Sequence, residues 1–243
     1  LALVSLLTAA LWQSTPLPRL VQQWGADYHT ATGEITHIVL EDGTQVWLSS
    51  ASALNVDYDQ EQRRLALVTG EILIETGKDT ERPFYLDTRS ARLTPLGTRF
   101  SVGEQPSGEL LAVFDGAVAI QTLGDAQHAS QRQVVTAGQQ ASYAADGIGE
   151  LSHADGSRAA WANGVLLAEN MSLKTFAAEL SQHHHGRLEV DPAVADLTLL
   201  GAFPLNDLER TLNMVETTLP VKVRRVMPWW IKIEAGKASS SEE

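Results

Sequence analysis

The sequence predicts a mainly β protein that ends in α+β. A twisted β stack, solenoid-like or two-sheet, covers residues 32–144, and a small α+β domain of βαβ repeats covers 161–235. Three observations carry this. Between Thr32 and Ala144, short β-rich runs alternate with turn signals, and no window keeps an apolar stripe of 3.6-residue period. A Gly recurs just after an apolar position, as Leu67…Gly70, Val113…Gly116 and Val135…Gly138, which suits bulges or tight corners between stacked strands. Their uneven spacing excludes a solenoid of fixed repeat. After Trp161, two apolar stripes of helical period appear.

The β runs follow in order. Ile35–Leu40 and Gln45–Leu48 flank Asp42-Gly43, a strong hairpin signal. Then come Arg64–Val68, Ile72–Glu75, Phe84–Thr88, Arg99–Val102, Leu110–Phe114, Val118–Thr122, Gln133–Val135 and Gln140–Tyr143. Residues 145–160, rich in Gly, Asp and Ser, read as a linker.

The end of the chain reads as β-α-β, β-α-β, β. Val165–Leu167 is a strand. Leu173, Phe176, Ala177 and Leu180 form one helix face, capped by Asn170 or Ser172 and ended by Gly186. Arg187–Val190 is a strand, Asp191-Pro192 a turn, and Leu197–Phe203 a strand. Asn206 with Glu209 resembles a capping box for a helix carrying Leu208, Leu212, Val215 and Leu219. Pro220 stops it. Val221–Val226 and Trp229–Ile233 close as a hairpin, and the polar tail 236–243 reads as loose.

At the other end, Leu1–Trp12 is uncharged and apolar all round but too short to span a bilayer alone. It reads as a truncated transmembrane helix whose upstream half is missing. Residues 13–31, with Pro16 and Pro18, read as the linker behind it.

Composition excludes several functions. The 243 residues carry 18 Lys+Arg against 30 Asp+Glu, a formal net charge of −12, which argues against nucleic-acid binding. No Cys is present, so disulfide scaffolds, zinc ribbons and Cys nucleophiles are out. No G-x-S-x-G elbow, Walker loop, H-E-x-x-H or dinucleotide fingerprint occurs. Asp57-x-Asp59-x-Glu61 lacks the Gly of a Ca²⁺ loop and reads as a solvated turn. His183-His184-His185 reads as a solvated helix end, because helix neighbours point about 100° apart and rarely share one ion. No metal site and no cofactor are expected. Lys222, Arg224, Arg225 and Lys232 make the last hairpin basic, either to dock an acidic partner or to protect a sheet edge.

The middle segment resembles the FecR-like family of sigma-factor regulators. The resemblance rests on ordered blocks: Leu40-Glu41-Asp42-Gly43-Thr44 with Val46 and Leu48; Arg64, Leu67, Gly70-Glu71 and Ile74; Arg82-Pro83-Phe84; Leu96-Gly97-Thr98 with Phe100 and Val102; and Val113, Gly116 and Val118. The last part resembles the short secretin/TonB N-terminal domain, through Trp161-x-Asn163-Gly164, the capped helix, Gly201-x-Phe203 and the second helix. The resemblance implies an inner-membrane, single-pass anti-sigma factor with this part in the periplasm. Its upstream segment would bind an extracytoplasmic-function sigma factor. Its periplasmic part would sense the signalling domain of an outer-membrane TonB-dependent transporter carrying an iron-siderophore complex. Lys222, Arg224 and Arg225 are the candidate partner-binding residues.

Some relatives cut themselves at the Gly-Thr of the fourth block. At Gly97-Thr98 the Thr98 hydroxyl can attack the preceding carbonyl, and Gly97 permits the strained backbone this needs. The competing reading is structural, with Gly97 at a bulge and Thr98 as a strand former. His37 and His128 are the possible assisting bases. A second function class is a ligand- or polysaccharide-binding β module, which needs a concave aromatic site. Trp47, Phe84, Phe100 and Phe114 are the rings considered for it, and their positions read as core.

Overall fold

The computed structural model describes residues 25–79, 81–124 and 127–236 of the chain. The apolar segment 1–12, most of the linker expected at 13–31 and the tail beyond 236 lie outside the described residues. Among those described, no helix is long and apolar enough to cross a membrane.

The fold is mainly β followed by α+β, as the sequence predicts. The strands of the first unit are β1 (Tyr28–His29), β2 (Thr36–Val39), β3 (Gln45–Leu48), β4 (Ala53–Tyr58), β5 (Arg63–Thr69), β6 (Glu71–Glu75), β7 (Phe84–Asp87), β8 (Ala91–Pro95), β9 (Arg99–Gln105), β10 (Gly108–Asp115), β11 (Ala117–Thr122), β12 (Arg132–Thr136) and β13 (Gln139–Ala144), with short β14 (Gly147–Ile148) and β15 (Ser152–His153). They build a seven-stranded sheet, β1-β4-β5-β7-β8-β11-β12, and an eight-stranded sheet, β14-β13-β10-β9-β6-β3-β2, with β15 also paired to β13. The chain passes back and forth between the sheets. Six of these crossings turn on a positive φ, at Gly33, Ala51, Gly70, Gly97, Gly116 and Gly138. The repeated apolar-to-Gly pattern therefore marks the corners of the stack. At Gly70 a Cβ would stand 2.3 Å from Ser52 Oγ, so neither handedness nor space admits a side chain.

Inward rows run straight across the ladders of the eight-stranded sheet. Val46, Ile74, Phe100 and Val113 form one row, and Leu48, Ile72, Val102, Leu111 and Ala141 the next. They meet Leu54, Leu65, Leu86, Leu93, Val118 and Ile120 of the other sheet. Burying each large side chain contributes about 1.5–3 kcal/mol relative to exposure. The outward row, Trp47–Leu73–Ser101–Ala112, is covered in part by the α+β unit, because Leu73 belongs to the second core and Trp47 packs on it. Strand β6 is thus buried on both faces, which explains why Ile72-Leu73-Ile74 is continuously apolar.

The α+β unit opens with a 3₁₀ segment (Gly156–Asn163). It continues through β16 (Val165–Ser172), α1 (Leu173–Gln182), β17 (Arg187–Val190), β18 (Thr198–Pro204), α2 (Leu208–Thr218), β19 (Val221–Met227) and β20 (Trp230–Ala235). β16 pairs with β18, and a second sheet runs β17-β20-β19. Phe176 of α1 meets Phe203 of β18 edge-on, with centroids 4.7 Å apart. Leu173, Leu180, Leu212 and Val215 complete this core. Ser172 caps α1, its side chain accepting the Thr175 N–H.

Several expectations are corrected. Asp207, not Asn206, caps α2; its carboxylate accepts the Arg210 N–H at 3.0 Å. Helix α1 stops at Gln182, short of Gly186. The stretch 145–160 is paired and turned, through β14, β15 and the 3₁₀ segment, because its backbone groups find partners on β13. Within 13–31, β1 pairs with β4 and so belongs to the stack.

Candidate functional site

The corner between β8 and β9 carries Leu96, Gly97 and Thr98. Leu96 is exposed, whereas Thr98 is 4% exposed and its Oγ1 has no hydrogen-bond partner. Gly97 has φ +70° and room for a Cβ, so its glycine character answers to backbone handedness alone. Across from it, a Cβ on Gly116 would stand 2.4 Å from the Gly97 carbonyl oxygen and 2.7 Å from Thr98 Cγ2. The carbonyl is pressed against bare backbone. On the other side lies Thr76, just past the end of β6. Its N–H donates to the Thr98 carbonyl at 3.0 Å, and its Oγ1 accepts the Thr98 N–H at 2.8 Å.

Neither histidine considered as a base comes near Thr98. His37 stacks on Trp47 with centroids 4.4 Å apart. It sits on β2, three ladder steps from β9, which is about 14 Å. His128 follows the Thr122 end of β11, whereas Gly97 lies at its Gly116 end, about 20 Å away along the strand. Neither of these two histidines is placed to act on the Gly97–Thr98 bond.

The basic hairpin is answered locally. Arg224 pairs with Glu234 at 3.5 Å, Arg225 with Glu209 of α2, and Lys232 with Asp191 at 3.2 Å. Lys222 lies directly opposite Glu234 in the β19–β20 register. These are exposed or half-buried surface pairs worth about 0–1 kcal/mol each. Strand β19 is a sheet edge, and the N–H of Val223 is covered by Glu216 Oε1 at 2.6 Å. Lys222, Arg224 and Arg225 therefore share a capped edge carrying mixed charge.

The histidine run is not the solvated helix end that the sequence suggested. Ser50 Oγ donates to the Gln182 carbonyl at 2.6 Å, and Gly33 lies against the His183 carbonyl. The end of α1 is thus docked on the β stack. His183 is buried, and burial first, with the neighbouring His184 second, pushes its imidazole down to about 4. Burial also lowers His184. Among the described residues, no group of three or more His, Cys, Asp or Glu is placed to hold a metal ion. Asp59 instead accepts the N–H groups of Glu61 and Gln62 in an Asx turn.

Sequence reasoning missed two further polar clusters. Arg63 and Asp42 form a buried pair at 2.8 Å that ties the β2–β3 hairpin to β5. Glu71 sits where the two units meet, beside a cavity of about 100 Å³ that Arg158, Trp161, Glu179 and His183 also line. Burial pushes its carboxyl up to about 7, with Arg158 pulling it back. The signal for both was strand parity: Arg63 alternates with Leu65 and Leu67, and Glu71 with Leu73.

These features define a class: a two-sheet β stack with an attached α+β unit, whose buried polar groups serve mostly to join strands and units. Comparison with known proteins places a match over part of this chain: residues 26–119 match the model of the FecR protein family. Two crystal structures of a protein assigned as an anti-sigma factor from Parabacteroides distasonis share the fold. One aligns with TM-score 0.67 at 20% identity over 86% of this chain and 98% of its own. The other aligns with TM-score 0.66 at 20% identity over 86% and 97%. No curated protein matches the chain.

Proposed function

We propose that this chain is the extracytoplasmic part of an anti-sigma regulator. In this reading it relays a signal from an outer-membrane TonB-dependent siderophore transporter to a cytoplasmic extracytoplasmic-function sigma factor. The observation that carries the reading is the FecR match at 26–119, joined to a fold shared across both units with a protein assigned as an anti-sigma factor. Contact with the sigma factor falls to a segment upstream of the stack, and contact with the transporter's signalling domain to the α+β unit. Lys222, Arg224 and Arg225 are the partner-binding residues proposed there. The test is calorimetric titration of the chain with such a signalling domain. Lys222→Glu combined with Arg224→Glu should weaken binding at least about tenfold and flatten its salt dependence. Unchanged affinity would move the contact off this hairpin, and no binding by the parent would sink the relay.

The same reading includes cleavage at Gly97–Thr98. Its support is Thr98 Oγ1, a buried hydroxyl without a partner, which costs the fold about 1–3 kcal/mol. The hydroxyl oxygen bonds to the Gly97 carbonyl carbon, the peptide C–N bond breaks, and water opens the resulting ester. Intact mass of freshly purified protein is expected to show a split at this bond, and none in Thr98→Ala. An uncut parent would leave Gly97 and Thr98 as a corner and a strand start. The alternative of a saccharide- or ligand-binding β module loses its aromatic site: Phe84 and Phe100 are in the first core, and Trp47 and Phe114 pack against the second.

A further inference from the structure

We propose that Thr76 is a catalytic residue for the break at Gly97–Thr98: its hydroxyl holds the scissile nitrogen and supplies the proton with which that nitrogen leaves. The inference rests on the self-cleavage reading above and adds the group that a histidine does not provide.

The β6–β9 ladder has Glu75 opposite Arg99 as its last regular pair. One rung further, Thr76 and Thr98 face each other. In a hydrogen-bonded antiparallel pair the two residues exchange both backbone bonds. Here one is made as expected, from the Thr76 N–H to the Thr98 carbonyl at 3.0 Å. The return bond is diverted: the Thr98 N–H donates to Thr76 Oγ1 at 2.8 Å. That nitrogen belongs to the Gly97–Thr98 peptide bond.

The diversion changes the chemistry available. A carbonyl oxygen only accepts, so a regular rung would hold the amide and offer it no proton. A hydroxyl accepts the N–H and also has a proton to give. Thr76 Oγ1 directs that proton to the Thr98 carbonyl at 3.3 Å, long for an O–H···O bond and so weakly engaged. The attacking group is equally uncommitted, since Thr98 Oγ1 is buried and unpartnered.

The proton balance closes without an added reagent in the first step. Thr98 Oγ1 closes on the Gly97 carbonyl carbon to give a five-membered ring, in which the nitrogen becomes pyramidal and basic. The nitrogen takes the Thr76 hydroxyl proton as the C–N bond breaks. The proton released from Thr98 Oγ1 restores Thr76. The net change is one proton moved from oxygen to nitrogen, leaving a Gly97–Thr98 ester and a free amine. Water then adds across the ester, giving the Gly97 carboxyl group and the Thr98 hydroxyl.

The test follows intact mass over time for the whole chain, with and without neutral hydroxylamine, which cuts esters. Thr76→Ser keeps the hydroxyl and should split near the parent rate. Thr76→Val keeps the shape without it and should split at least about 100-fold more slowly, the scale of general-acid assistance. A merely structural Thr76 would lower the melting temperature in Thr76→Val without slowing the cut. If the valine form does not fold, Thr76→Ala, which also lacks the hydroxyl, should be slowed at least about 100-fold. A parent that splits while the valine form (or the alanine form in its place) keeps pace overturns the role of Thr76 and leaves the self-cleavage reading standing. A parent that stays whole even with hydroxylamine overturns the self-cleavage reading and this inference with it.

Discussion

Asp42→Ala should destabilise the β stack by about 3–5 kcal/mol. Asp42 sits in the β2–β3 turn of one sheet, and Arg63 begins β5 of the other. Their side chains are 0% and 5% exposed. The pair is fully equipped. Asp42 accepts the N–H and hydroxyl of Thr44, whose hydroxyl in turn accepts the Gly77 N–H. Arg63 spends its remaining donors on the carbonyls of Asp79 and Arg82 and lies over the Phe84 ring. Burial alone would raise the Asp42 carboxyl, but the bonds from Thr44 and Arg63 outweigh it and hold the group below its ordinary value. Its contribution is therefore present above the ordinary carboxylate range and lost as pH falls through the lowered value. Removing Asp42 takes away the nearer carboxylate of a buried guanidinium and leaves it only Asp79, at 3.9 Å, and that loss of compensation is the source of the cost. Arg63→Met on the alanine background should recover most of the loss, because a buried pair replaced by apolar groups is often neutral. Urea midpoints for the two single variants and the double would settle it; a loss below about 1 kcal/mol in Asp42→Ala would show that the pair is not what joins the sheets.

This network shows how far the sequence could be read. Asp42-Gly43 was legible as a turn, since a three-residue loop with Gly43 at positive φ is what that dipeptide favours. The second role of Asp42 depends on Arg63, remote in sequence and next to an Arg64 that points outward to Asp57 and Asp87. Parity with Leu65 and Leu67 distinguishes the two arginines, but only once the face of β5 is known. Strands β4 and β8 escaped the reading for a different reason. β4 carries Asn55 and Asp57, which strands disfavour, and β8 has Leu93 as its one large apolar residue and ends in Pro95. At the candidate site, Gly97 and Thr98 stand out as a local motif. Thr76 does not, because its bond to Thr98 exists only after two strands have paired. His183 was misplaced because docking of α1 on Ser50 and Gly33 is a tertiary event with no local sign.

Glu71→Gln should change how the protein responds to pH, and His183 determines in which direction. Both side chains line the cavity between the units, with Arg158 and Glu179 facing Glu71. An acid held at about 7 takes up a proton on folding, so its contribution is full below its ordinary 4.5 and is lost as pH rises through 7. That gap is worth roughly 3 kcal/mol. A base pushed down to about 4 behaves oppositely: its contribution is present above its ordinary 6.5 and is lost as pH falls toward 4. Glu179, also raised by burial, adds to the first effect, and His184, also lowered, adds to the second. Between about 4.5 and 6.5 the two slopes oppose, so the parent should be nearly level there. Glutamine cannot ionise and removes one slope. The variant should lose stability steeply on acidification below 6.5 and at pH 8 should exceed the parent by up to roughly 3 kcal/mol. His183→Asn should give the mirror image, with stability falling from pH 4.5 to 7. Urea unfolding followed by the fluorescence of the six tryptophans at pH 4.5, 6.5 and 8 separates these curves. A Glu71→Gln profile parallel to the parent's would mean that the contact between the units carries no proton, and that the level stability of the parent needs another cause.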